Sequence, residues 1–288
     1  MRIDGHQHFW RVQRGDYHWM DASVPVLCRD YLPDDLRPLL AKHAIDRTIL
    51  VQAAQTVAET DFLLELAAEN DFIAGVVGWL DMDNESFPSE FARYRKNPKF
   101  IGLRPMLQDL EDDGWILRPK VLESLRLVVE ADFPFDFLTH TRHLPYVRKV
   151  LEQVGPIRAV IDHISKPEIH SQKLEPWKTY IAQLAQYPNL HCKLSGMITE
   201  ADHQNWSTAM LRPYIDHVID CFGWDRVIFG SDWPVCLLAG SYDQVVQVLT
   251  DALGSSMGET EERKFFGENA ARFYKLNSGG EGCAVTLE

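Results

Sequence analysis

PFDFLTHTRHLPYVRKVLEQVGPIRAVIDH, residues 134–163, reads as strand, helix and strand in one unbroken run. PFDFLTH (134–140) and IRAVIDH (157–163) are short, rich in β-branched and aromatic residues, and both end on histidine. Between them, LPYVRKVLEQVG (144–155) sets Leu144, Val147, Val150, Leu151 and Val154 on one helical stripe and closes at Gly155. A helix joining two largely apolar strands is the repeating unit of a parallel sheet covered by helices.

The same alternation extends in both directions. Further β-prone runs are RID (2–4), RTILVQ (47–52), IAGVVGWL (73–80), FIGLRPML (100–107), NLHCKLS (189–195) and RVIFGSD (226–232). Helix-period stretches lie between most of them, including ETDFLLELAAEN (59–70) and MLRPYIDHVIDCFG (210–223), the latter ending at Gly223. Eight such strands suit an α/β fold, a single-domain (β/α)8 TIM barrel, better than an open sheet, and barrels of this kind occupy about 250 residues. No G-x-G-x-x-G follows a strand, so a dinucleotide-binding sheet has no support. Residues 1–276 are assigned to the barrel, with a loop-rich insertion at 108–120, and 277–288 to a C-terminal tail.

Composition narrows the partners. Asp and Glu number 42 against 29 Lys and Arg, a formal net charge of −13. Nucleic acid and anionic membrane surfaces reward basic patches, so neither is an expected partner. No run approaches the ~18 apolar residues of a membrane span, and no apolar signal region precedes Asp4. The five cysteines lack C-x-x-C spacing, which points to reduced thiols in a cytoplasmic protein rather than a disulfide framework.

Active sites of such barrels are built at the C-terminal ends of the strands. Those ends collect His6, His8, Gln52, Asp81, Arg104, His140, His163, Lys193, Ser195 and Asp232. Each has a plain structural reading. His140 and His163 could cap strand ends, Lys193 could be an exposed strand residue, and Asp232 could cap the segment that Pro234 begins. Gathered at one barrel mouth, proton-transfer groups in this number favour catalysis. His6 and His8 stand two apart in an extended chain, which points both imidazoles the same way.

HQHFW (6–10), VQAAQTVAETDFLLELA (51–67), GVVGWLD (75–81), IGLRPMLQ (101–108), DHISKP (162–167), CKLSGMITEAD (192–202), FGSDWPVCLLAGSYDQV (229–245) and GENAARFYKL (267–276) together resemble the amidohydrolase superfamily, and within it the sugar-lactonase branch. The resemblance implies a (β/α)8 barrel that hydrolyses a small sugar lactone, an L-fuconolactone-like aldonolactone, to the aldonic acid. Carried over by position, His6 and His8 match the strand-one H-x-H, His163 the strand-six histidine and Asp232 the strand-eight aspartate. His140 falls where members with one metal draw a further ligand. The resemblance admits one divalent ion, zinc by its donors, on His6, His8, His140 and Asp232, and it admits members that work without metal. No lysine stands where a carbamate-bridged pair of ions would need one.

On this reading Asp232 is the general base that activates water, and protonated Asp232, or His163, can return the proton to the leaving alkoxide. Arg104, Lys193 and protonated histidines supply the positive field at the carbonyl where no ion does. Trp10, Trp19, Trp233 and Arg104 are the candidate substrate contacts, with core or rim packing the competing reading for the tryptophans. A metal-dependent decarboxylase, or a lactonase for a dicarboxylated pyrone, would instead want a basic clamp from Arg104, Arg142 and Lys193. A non-catalytic binding barrel would need no base like Asp232.

Overall fold

The computed structural model describes residues 1–254 and 256–276; the tail assigned to 277–288, with Cys283, lies outside them. Eight parallel strands follow one another around the sheet in chain order. They are β1 Ile3–Gln7, β2 Arg47–Val51, β3 Ile73–Gly78, β4 Phe100–Leu103, β5 Phe135–Phe137, β6 Ala159–Ile161, β7 Leu190–Leu194 and β8 Val227–Phe229. The first strand meets the segment beyond the last through Gln7 and Trp233, with His8 N–H donating to the Trp233 carbonyl at 2.7 Å. The barrel is the expected one.

Helices α1 Pro33–Lys42, α2 Val57–Glu69, α3 Phe87–Tyr94, α4 Pro119–Glu130, α5 Leu144–Val154, α6 Trp177–Leu184, α7 Thr208–Phe222 and α8 Tyr242–Leu253 form the outer ring. Several strands stop short of the apolar runs that suggested them. β4 ends before Pro105, which has no N–H for the ladder, and β6 ends where the chain enters a tight turn at Asp162–Ser165.

The interior is layered, and the layering places the site. At the N-terminal end, Ile3, Ile49, Val51, Val77, Val160 and Ile228 meet Ala270, Phe273 and Tyr274 in a separate apolar cluster. The last three belong to the closing segment, where α9 Glu259–Arg263, a π-turn and α10 Asn269–Phe273 plug the barrel floor. Above this cluster the inward positions become charged, and above them a cavity opens at the C-terminal ends of the strands. Burial of the apolar layers contributes roughly 25 cal/mol per Å² of surface removed from water. Among the described residues, no helix is long and apolar enough to cross a membrane.

Candidate active site

β1 carries the first two residues of the site through an irregularity. Ile3 faces the inner cluster, and Asp4 faces outward to accept from Tyr242 Oη of α8 at 3.1 Å. Strict alternation would then turn His6 outward. The register between β1 and β2 shifts between Asp4 and Gln7, and this bulge returns His6 to the interior. His6 Nε2 lies 3.2 Å from His8 Nε2, and His8 Nε2 lies 3.2 Å from Asp232 Oδ1. Asp232 is held beyond β8 at φ +56°, a conformation that an L-residue keeps only where its surroundings enforce it. Its N–H donates to the His6 carbonyl at 2.8 Å, so β1 and the β8 end fix each other.

His163 completes the cluster from the β6 end. Its Nε2 is 3.8 Å from Asp232 Oδ1, and its Nδ1 is 2.9 Å from Ser195 Oγ. Two glycines make this packing possible. A Cβ at Gly196 would stand 2.5 Å from His163 Nδ1, and one at Gly230 would stand 2.7 Å from His6 Cβ.

Beneath His6 lies a fully buried ion cluster. Lys193 Nζ is 2.6 Å from Asp136 Oδ2, 2.9 Å from Asp162 Oδ1 and 3.1 Å from His6 Nδ1. Tyr274 Oη of the closing segment donates to Asp136 at 2.8 Å. Arg104 Nη1 adds a contact to Asp162 Oδ2 at 3.2 Å, and its Nη2 donates to the Gln52 carbonyl. Lys193 has two carboxylates and Arg104 has one carboxylate and a carbonyl, the kind of pairing that burial of a charge requires.

The cavity above has a volume of about 190 Å³. His8, Arg104, His163, Lys166 and Asp232 give it a reactive side. Trp19, Val24, Met106, Leu138, Val235 and Leu238 give it an apolar wall, and Gln108 and Asp109 complete its rim.

Burial drives His6 and His163 well below the ordinary imidazole range, with Lys193 adding to the effect at His6 and Asp232 opposing it at His163. Both shifts favour the neutral ring, against the expectation of protonated histidines. Burial alone would raise Asp232, but His163, His8 and Lys166 outweigh it and hold the carboxyl below its usual range. Asp232 is therefore ionised, as a base must be.

The donor chemistry suits a cation. His8 Nδ1 lies 2.8 Å from the Val51 carbonyl, which can only accept, so Nδ1 carries the proton. His8 Nε2 faces Asp232 Oδ1 and His6 Nε2, each at 3.2 Å, and two imidazole nitrogens with a carboxylate are a donor set that a divalent ion takes. His6, His8 and Asp232 bring ligand atoms within 4.8 Å of one another, as do His6, Asp162 and His163.

Several expected site residues are placed elsewhere. His140 joins neither ligand group. β5 ends at Phe137, and the chain turns at Thr141–His143, where the His140 N–H donates to His143 Nδ1. Trp10 is fully buried, its indole N–H donating to the Arg29 carbonyl at 2.8 Å. Trp233 packs edge-on against Phe9 and Tyr31 and does not line the cavity. Both are packing residues. Trp19 alone of the three lines the cavity, anchored by its N–H to the Ala53 carbonyl at 2.7 Å. Lys193 is neither an exposed strand residue nor a cavity residue: it is fully buried, with its Nζ 3.1 Å from His6 Nδ1.

The sequence reading passed over Asp136, Asp162 and Lys166. Asp136 had a usable signal: Phe135 and Phe137 face the helices, so period-two alternation sends the residue between them inward. Val160 faces the inner cluster, so the same alternation sends Asp162, two residues on, inward as well.

A family model described as amidohydrolase matches residues 3–276. An L-fucono-1,5-lactonase of Burkholderia ambifaria is 39% identical over 279 residues, covering 96% of each chain. An L-fucono-1,5-lactonase of Burkholderia multivorans is 38% identical over 286 residues, again covering 96% of each. The crystal structure of a Burkholderia multivorans amidohydrolase with bound zinc superposes with a TM-score of 0.92 at 38% identity, covering 96% of this chain and all of that one.

Proposed function

The chain belongs to the amidohydrolase family, and from that premise we propose that it hydrolyses a sugar lactone, L-fucono-1,5-lactone first, to the aldonic acid. The observation that carries this reading is a buried carboxylate, Asp232, among His6, His8 and His163 at the floor of a sugar-sized cavity. Kinship with lactonases over 96% of the chain supports the same reaction.

Asp232 takes a proton from water as the water oxygen attacks the ring carbonyl carbon. His163, held through Ser195, stands beside Asp232 to relay that proton to the leaving alkoxide. Arg104 lends positive charge from the cavity wall, and Lys193 orients His6 from below. Trp19 offers a flat apolar face to the C–H side of the sugar ring. His6, His8 and Asp232 would hold one divalent ion, zinc by their donor types. When bound, that ion polarises the carbonyl and acidifies water.

A two-carboxylate substrate is not favoured. Arg142 pairs with Asp113 on the exposed rim and Lys193 is sealed below the floor, so the clamp of Arg104, Arg142 and Lys193 that would serve a decarboxylase or pyrone lactonase is not assembled. Four free thiols among the described residues suit the reducing cytoplasm, where we place the enzyme in sugar-acid catabolism.

The test is a panel of aldonolactones followed with a pH indicator, with and without chelator. Acid release fastest with L-fucono-1,5-lactone is expected. Folded protein that releases acid from none of the panel would overturn the reading.

A further inference from the structure

Arg104 and Lys193 are the two cations that sequence reasoning sends to the substrate carbonyl, and the structure engages both elsewhere. Lys193 lies below the floor with two carboxylates. Arg104 is tied by one nitrogen to the Gln52 carbonyl and by the other to Asp162. A second cation lines the cavity beside Asp232 and His163, and it is Lys166. Among the described residues its nearest carboxylate is Glu200, at 3.8 Å, beyond hydrogen-bond distance.

The backbone that delivers Lys166 is unusual. His163, Ile164, Ser165 and Lys166 have φ of +52°, +48°, +62° and +46°, a left-handed turn with no glycine in it. Each such residue is disfavoured, so the turn persists only where its surroundings hold it. They do. Trp177 donates its indole N–H to the Ile164 carbonyl at 2.6 Å, and Ser165 Oγ is 2.8 Å from Thr139 Oγ1. The two middle residues are fully buried away from the cavity, while the first and last both line it. The charge of Lys166 also bears on Asp232, His163 and Asp109, which surround the place a substrate would occupy.

We propose that Lys166 is a catalytic residue whose ammonium receives the lactone carbonyl oxygen as water attacks. The inference rests on the lactonase reading and deepens it. A bond forms between the water oxygen and the carbonyl carbon, the water proton passes to Asp232, and the carbonyl π pair moves onto the oxygen beside Lys166. On collapse that pair re-forms C=O, the ring C–O bond breaks, and the alkoxide takes the proton held by Asp232. Lys166 keeps its three protons throughout and acts by charge and hydrogen bonding alone.

The test compares wild type, Lys166→Met and Lys166→Arg on the best lactone of the panel, with melting temperatures on the same preparations. Met suits the left-handed backbone no worse than Lys, so folding should survive. Loss of one oxyanion donor predicts a fall in kcat of about 10²–10³-fold with KM changing far less, and Arg should recover part of kcat. A kcat for Lys166→Met within threefold of wild type overturns the proposal. So does an equal loss in the Met and Arg variants, which would mark a residue that only shapes the turn. A wild-type enzyme without lactone turnover removes the lactonase reading and this assignment with it, so the two failures are told apart by the wild-type rate.

Discussion

Lys193 Nζ stands 3.1 Å from His6 Nδ1, and through this contact a sealed ion cluster reaches the reactive floor of the cavity. His6 in turn is 3.2 Å from His8, which is 3.2 Å from Asp232. A side chain with no exposed surface is therefore joined, contact by contact, to the carboxylate proposed as the base.

Lys193→Met should leave Asp136 buried without its cation and Asp162 with Arg104 alone, a loss of about 3–5 kcal/mol when one partner of a buried pair is removed. Adding Asp136→Asn restores the charge balance and should recover much of that stability. kcat should stay low in both, because His6 has lost its anchor. Thermal melts and kcat on the single and double variants check this; recovery of kcat together with stability would assign Lys193 to folding alone.

Asp232→Asn should lower kcat by about 10²–10⁴-fold while the melting temperature changes little, since Asn is nearly isosteric but cannot take a proton from water. If Asp232 merely capped the next segment, the cost would be about 1 kcal/mol of stability with the rate intact. The acid limb of kcat/KM carries the same information. A carboxyl held below its usual range stays ionised into acid, so activity should persist below the ordinary carboxyl range and fall only as Asp232 protonates.

Elemental analysis should find no more than one divalent ion per chain, because His6, His8 and Asp232 converge on a single point. His8→Gln should lower the occupancy measured after dialysis. His140→Gln should leave it unchanged, since His140 belongs to neither ligand group. Two equivalents in wild type, or a His140 variant that loses its ion, would contradict the assignment.

Gly196→Ala and Gly155→Ala make a matched pair. Both positions have positive φ, +60° and +88°, so both substitutions strain the backbone. Only the first places a Cβ 2.5 Å from His163 Nδ1, whereas Gly155 has open space. Each should cost on the order of 1–3 kcal/mol in stability, but only Gly196→Ala should depress kcat. Equal kcat in the two variants would detach His163 from the reaction.

The sequence by itself determined the barrel, its strand order and the C-terminal mouth as the place of chemistry. Those features follow from local patterns: apolar runs that become strands, a stripe such as Leu144–Val154 that becomes a covering helix, and turns that place His6, His8, His163 and Asp232 at strand ends. Only the tertiary structure decided which of the polar residues at those ends face one another. Lys193 and His6 are 187 residues apart, and no periodicity in either strand tells that a lysine will close on that ring with Asp136 and Asp162 around it. Trp10 and Trp233 became packing residues because the loop after β1 folds back over them, while Trp19 of that same loop was left at the cavity. His140 was carried out of reach by a turn begun at the end of β5, and Lys166 was carried into reach by a left-handed turn that its own residue types disfavour. Propensity acts over a few neighbours, and contacts made across the barrel override it.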